Sequence, residues 1–131
     1  MKQFSISDPA LLNNFGKVHK ECVNTILTTN DSNYIFSIDN SNYLIQWSIN
    51  DEMMKEFGVL HKKTMGKNII LATQNSKYLF CGDRNGYLKQ ISIKDKKVEE
   101  DFGVILQGGI WSMCCTPDDK YLYMGNMMGF L

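Results

Sequence analysis

The chain has 131 residues, 44% of them hydrophobic and 21% charged, with fourteen basic residues against fourteen acidic ones. That is the composition of a soluble globular domain long enough to bury a core. With no net charge there is no global field for DNA, RNA or anionic lipid, and no apolar run has the length of a membrane span, so neither a nucleic-acid nor a membrane partner is expected.

The first residues, MKQFSISDPALL, lack the long apolar stretch of a secretory signal. The four cysteines (Cys22, Cys81, Cys114 and Cys115) form no CxxC pair, which fits reduced thiols in a cytoplasmic or nuclear protein. MKQFSI, Met1 to Ile6, aligns with LIQWSI at Leu44 and LKQISI at Leu88, so it is expected to be one strand of a repeating unit. A looser run around Phe15-Gly16 follows, then the strand CVNTILT, a turn at Asn30–Asn33, the strand YIFSI, a turn at Asp39–Asn42 and the strand YLIQWSI. The next segment, Asp51 to Met65, places Met53, Met54, Phe57 and Leu60 at helical spacing. Gly58 in its middle and the non-helical look of EEDFGVIL and NNFGKVH argue for a strand instead. The order then recurs: KNIILAT, a turn at Asn75–Lys77, YLFCG, a turn at Asp83–Gly86 and YLKQISI. KDKKVEED (Lys94 to Asp101) is expected to be a solvated charged loop, and after it come FGVIL, GIWSMCC, a turn at Pro117–Lys120, YLYMG, a turn at Asn126–Gly129 and GFL.

Two anchors keep one beat. Phe-Gly recurs at Phe15, Phe57 and Phe102, spaced 42 and 45 residues, and the tyrosines Tyr34, Tyr78 and Tyr121 are 44 and 43 apart. Four short strands per period of that length is the pattern of a β-propeller blade. The expected fold is all-β, a partial propeller of four-stranded antiparallel blades. Its three repeat equivalents divide at residues 1–43 (the end of one blade and the start of the next), 44–87 and 88–131.

The same residues resemble the WD-repeat family. His19 lies four residues before Val23, NTILTTNDS is similar to that family's first strand and turn, and Trp47-Ser48 falls on its Trp-Asp dipeptide. TPDDKYLYMG is closer still to the family's turn and second strand. The resemblance implies a hydrogen-bonded His, Ser/Thr, Asp and Trp set in each blade. The first unit supplies His19, Ser37 and Trp47, with Ser41 at the place expected for the Asp. The second keeps His61 but has Cys81, Asn85 and Ile91 at the other three places. The third has Leu106 and Met124. Such degenerate repeats are expected to be held mainly by apolar packing.

The resemblance also implies a non-catalytic platform for protein partners, whose binding face is built from His19–Glu21, His61–Lys67 and Leu106–Ile110 with the turns Asn40–Asn42 and Arg84–Gly86. Lys63, Arg84 and Trp111 are its candidate partner-binding residues. Trp111, following Gly108-Gly109, is either a binding anchor or a wedge between blades. No cofactor and no metal are expected: His19 and Cys22 make an H-x-x-C spacing without a second pair of ligands. His61, among lysines, is expected to be solvated, and the Cys114-Cys115 thiols to be buried and inert. No G-x-S-x-G, phosphate-cradling loop or carboxylate pair points to catalysis.

Three blades cannot close a propeller. The readings left open are a slice of a longer chain, a homodimer completing a six-bladed ring, and docking onto another propeller-forming partner. An enzyme whose site lies in other blades and a structural subunit of a large assembly are the functional alternatives to a scaffold.

Overall fold

A computed structural model describes residues 2–4, 6–7, 12–14, 16–50, 53–61 and 67–131. Every regular element in these residues is a β-strand. β1 (Lys2–Phe4) and β2 (Leu12–Asn14) form a two-stranded sheet. β3 (Val23–Thr28), β4 (Tyr34–Asp39), β5 (Tyr43–Ser48) and β6 (Met54–Val59) make a four-stranded sheet in sequence order. β7 (Ile69–Ala72), β8 (Tyr78–Gly82), β9 (Tyr87–Ser92) and β10 (Lys97–Val104) repeat it. β11 (Ser112–Cys115) and β12 (Leu122–Gly125) begin a further one. Every pairing is antiparallel. β3 packs against β7 and β7 against β11, so the first strands of successive sheets are neighbours and the sheets stand side by side like blades around an axis.

Two sequence expectations are resolved by this register. Residues 54–59 are a strand, not a helix. The ambiguity arose because a bulge imposes its own spacing on the apolar side chains. Leu44 pairs with Gly58 and Ile45 with Glu56, which leaves Phe57 as the extra residue; Gly58 takes φ +74°. The bulge turns Phe57 inward, onto the core. In the second sheet Lys89 pairs with Asp101 and Leu88 with Gly103, leaving Phe102 extra and Gly103 at φ +66°; Gly16 has φ +72°. The Phe-Gly pairs of β6 and β10 therefore mark a bulge in the outermost strand of each complete sheet, where left-handed backbone favours glycine. The second expectation changes more. Of the charged segment 94–101 only the start is a turn, and Lys97 onward belongs to β10. Residues 94–101 read as a loop because the outermost strand faces solvent along most of its length and this part of it carries a single apolar side chain, Val98.

The core fills the space between the two complete sheets. Phe36, Ile38, Leu44, Leu60, Ile70, Leu79, Cys81, Ile91 and Ile93 are buried together, with Leu27, Tyr34, Phe57 and Ala72 packed on them. Burying a large aliphatic or aromatic side chain contributes about 1.5–3 kcal/mol, so this cluster is the main source of cohesion. The chain reverses through one turn design at the end of each first strand. Thr29, Thr73 and Thr116 donate their hydroxyls to Asp31, Asn75 and Asp118 at 2.5, 2.8 and 2.5 Å. The same hydroxyls accept the N–H groups of Tyr34, Tyr78 and Tyr121. Successive sheets are joined there as well: Ser76 Oγ accepts Asp31 N–H at 3.2 Å, and the Asp119 carboxylate accepts Gln74 and Asn75 N–H at 2.7 and 2.8 Å.

Candidate partner-binding face

The opposite ends of the sheets hold the residues singled out from the sequence. His19, almost fully buried, bridges two groups of the first complete sheet. Its Nε2 lies 2.7 Å from Ser37 Oγ and its Nδ1 3.0 Å from Asp39 Oδ2. The carboxylate thus comes from Asp39 and not from the position of Ser41, which the repeat alignment put in that place. Ser41 serves the same carboxylate from the other side: Asp39 Oδ1 accepts the Ser41 N–H, the Ser41 hydroxyl and the Tyr43 N–H at 2.9, 2.7 and 3.1 Å. Burial pushes the Asp39 carboxyl up, but the hydrogen bonds from Ser41, Tyr43 and His19 outweigh it and hold it below the ordinary carboxylate range. Trp47, half-buried, sits on β5 opposite Ile35.

The second sheet repeats the turn with a weaker link to histidine. Asp83, not Asn85, is the buried carboxylate, and its Oδ1 accepts Asn85 and Tyr87 N–H at 3.0 and 2.9 Å. Its Oδ2 stands 3.9 Å from His61 Nδ1. His61 is buried, contrary to the solvated position expected from its lysine neighbours, and its Nε2 has no hydrogen-bond partner. Burial lowers its pKa, with the Asp83 charge opposing. Cys81 lies at the place that Ser37 holds in the first sheet, and its thiol is itself pushed up by burial. A hydroxyl in that place is expected to give His61 its missing partner. Cys81→Ser should raise stability by about 1 kcal/mol, read from urea unfolding at pH 7. In the third unit Asn126 takes the carboxylate's part. Its Oδ1 accepts Met128 and Phe130 N–H at 3.0 and 2.8 Å, and its Nδ2 donates to Gln107 O at 2.7 Å. Asp39, Asp83 and Asn126 thus organise equivalent turns. The sequence signal for them was a polar residue three before each left-handed Asn42, Gly86 and Gly129.

The first two of these turns each hold the loop that follows their sheet. Asn42 Nδ2 donates to His61 O at 3.1 Å, and Leu60 N–H donates to Asn42 O at 3.0 Å. Ile105 N–H donates to Gly86 O at 2.9 Å and Ile110 N–H to Asp83 O at 2.8 Å. This clamps 105–110 against the β8–β9 turn and carries Trp111 beneath Arg84, whose guanidinium carbon is 4.6 Å from the ring centroid. Arg84 is exposed and Trp111 half-buried, so two of the three candidate binding residues form one surface feature. A cation stacked this way gains about 0.5–1 kcal/mol at an exposed site and loses side-chain freedom before any partner arrives. Lys63 lies outside the described residues, as does most of the His61–Lys67 loop.

These sheets, side by side on their first strands, match known structures. The chain is similar to the crystal structure of the RRP9 WD40 repeats, with a TM-score of 0.69 and 16% identity over 83% of this chain and 34% of that one. It is similar to the structure of U3-55K to the same extent, with a TM-score of 0.68, 16% identity, and 83% and 34% coverage. The chain has the WD40 β-propeller fold. It spans about a third of the length of these WD40 structures. No family model matches the chain, and no curated protein matches it.

Among the described residues of this WD40 fold, no three His, Cys, Asp or Glu side chains come together as a metal site requires, and no helix is long and apolar enough to cross a membrane. Cys114 is exposed and Cys115 half-buried, so the expectation of two buried thiols gives way. β11 has no sheet beyond it among the described residues to cover Cys114. A cavity of about 420 Å³ opens at the other ends of the sheets, between Tyr34 and Tyr78. Its acidic side chains are already engaged, Asp31 by Thr29, Asp95 by Ser92 and Glu99 by Gln90, so the Arg84–Trp111 face is the better candidate for recognition.

Proposed function

We propose that this chain is a non-catalytic propeller segment acting as a protein–protein interaction scaffold, completed by self-association or by a longer chain. The observation that carries the reading is the exposed Arg84 guanidinium stacked on Trp111, on turns that the backbone clamps in place. Arginine and tryptophan are the residue types that most often dominate protein interfaces, and a pre-ordered pair loses little entropy on binding. The proposed partner-binding face comprises His19–Glu21, His61–Lys67 and Leu106–Ile110 with the turns Asn40–Asn42 and Arg84–Gly86, and Lys63, Arg84 and Trp111 are its proposed contact residues. Arg84→Ala, Lys63→Ala and Trp111→Leu are expected to lower recovery of bound protein at least about five-fold in quantitative affinity capture. The melting temperature of each variant should stay within about 2 °C of the unaltered chain, since neither Arg84 nor Trp111 belongs to the core cluster and a lysine carries little packing. Undiminished recovery from all three would place the binding surface elsewhere.

A further inference from the structure

The chain has no net charge, but its exposed charges are not evenly spread. At the end of the sheets that carries Arg84 and Trp111, the described connections expose Lys17, Lys20, Lys67 and Arg84 against a single carboxylate, Glu21. Asp39 and Asp83 lie there too, but both are buried and occupied by the N–H groups of their own turns. The carboxylates of the outermost strands nearby are engaged as well. Glu56 accepts the Tyr43 hydroxyl, and Asp101 accepts the Gly103 N–H and pairs with Lys89 at 3.4 Å. At the opposite end the described connections carry four lysines and four aspartates, so neither sign prevails.

Arg84 is the most specific of these cations. Its guanidinium lies over Trp111 and makes no ion pair or hydrogen bond among the described residues. A guanidinium holds all its donors in one plane; stacking covers a face of that plane and leaves the edge open, and a carboxylate meets two N–H groups of such an edge at once. The indole also holds the fork still, which lowers the entropy lost on binding. The lysines are placed as firmly. Asn40 N–H donates to Cys22 O at 3.0 Å and Asn68 Nδ2 to Asp39 O at 3.2 Å, so the segments bearing Lys20 and Lys67 are both held against the β4–β5 turn.

We infer that the partner of this face is an acidic protein segment. One carboxylate sits on the edge of Arg84, an apolar side chain beside it rests on the exposed part of Trp111, and further Asp or Glu residues face Lys20 and Lys67. This rests on the scaffold reading above and adds the chemistry of the partner. A nucleic-acid strand suits the face less, because Glu21 interrupts the cations and the neutral chain supplies no long-range field.

Fluorescence anisotropy of the full 131-residue chain with labelled probes tests the assignment. One probe is a short peptide pool in which Asp or Glu alternates with Leu or Phe. Another carries Asn or Gln in place of the acids, and the last is a single-stranded oligonucleotide of equal charge. The acidic pool is expected to bind about ten-fold tighter than the neutral one at physiological salt. Arg84→Lys, which keeps the charge and loses the fork, should weaken it about five-fold. Lys20→Gln with Lys67→Gln should slow association and flatten its salt dependence, whereas Lys77→Gln, at the opposite end, should change nothing. Equal binding of the neutral pool, or full affinity in Arg84→Lys, would overturn the acidic partner; loss of neutral-pool binding in Trp111→Leu would still leave the scaffold reading standing. An oligonucleotide bound as tightly as the acidic pool would overturn it in favour of a general anion surface. Failure of both peptide pools to bind would overturn it too, while affinity capture on the Arg84→Ala chain decides the scaffold reading separately.

Discussion

Asp39→Ala should destabilise the fold by about 3 kcal/mol, lowering the melting temperature by roughly 10 °C in calorimetry. The carboxylate is buried and accepts four hydrogen bonds, from Ser41 twice, from Tyr43 and from His19. Its removal strands two backbone N–H groups in the β4–β5 turn and leaves the buried His19 with Ser37 alone. Asp39→Asn should cost less than half as much. Asn126 shows that an amide oxygen accepts the same pair of turn N–H groups, and the amide can donate to His19 Nδ1 if Nε2 carries the ring proton. The pH dependence has a definite sign. The folded-state pKa of Asp39 is depressed, so its contribution is present above the ordinary carboxylate range and is lost as pH falls through the folded value. His61 acts in the same direction at higher pH. Its folded pKa is lowered, so the unfolded chain binds more protons just below the ordinary histidine value and stability declines from there as pH drops. Urea midpoints between pH 7 and 3 should fall throughout. A midpoint unchanged over that range would count against both buried networks.

Gly109→Ala should be nearly as damaging, at about 3 kcal/mol, and should disturb the binding face at the same time. A Cβ at Gly109 would sit 2.1 Å from Arg84 O, a backbone atom that cannot move without opening the β8–β9 turn, and φ there is +82°. The chain can relieve the overlap only by lifting 105–110 from that turn, which takes Trp111 out from under Arg84. Gly103→Ala is the control. It also has positive φ, +66°, but its Cβ would meet nothing within 4 Å, so only the backbone preference of about 1 kcal/mol is lost. Equal losses for the two variants would show that contact with Arg84 contributes nothing beyond backbone strain. Tryptophan fluorescence separates the cases independently, because only Gly109→Ala should change the surroundings of Trp111.

Strand chemistry, turn chemistry and the period were legible because each is local. Alternating apolar residues, threonine-led turns and left-handed Asn or Gly positions act within four or five residues, and a repeat multiplies the signal. The Phe-Gly beat was visible too, although its meaning as a bulge needed the pairing of β5 with β6. The candidate site was less legible. Sequence spacing proposed Arg84 and Trp111 separately, 27 positions apart, and only the clamp of 105–110 on the β8–β9 turn stacks one on the other. The buried carboxylates were misassigned by two residues, to Ser41 and Asn85. Alignment to a repeat fixes the turn but not which side chain points inward, and Asp39 and Asp83 are chosen by where the strand leaves the sheet. His61 was placed in solvent from its charged neighbours, yet packing between sheets buries it.

The amino-acid sequence by itself determined an all-β repeat of four strands, because period, alternation and turn residues are properties of short segments. Tertiary structure alone decided which polar groups meet and that Phe57 turns onto the core. Those outcomes depend on register and on contacts between sheets more than forty residues apart, such as Thr25 with Asn68 and Asn30 with Gln74, which no local pattern encodes.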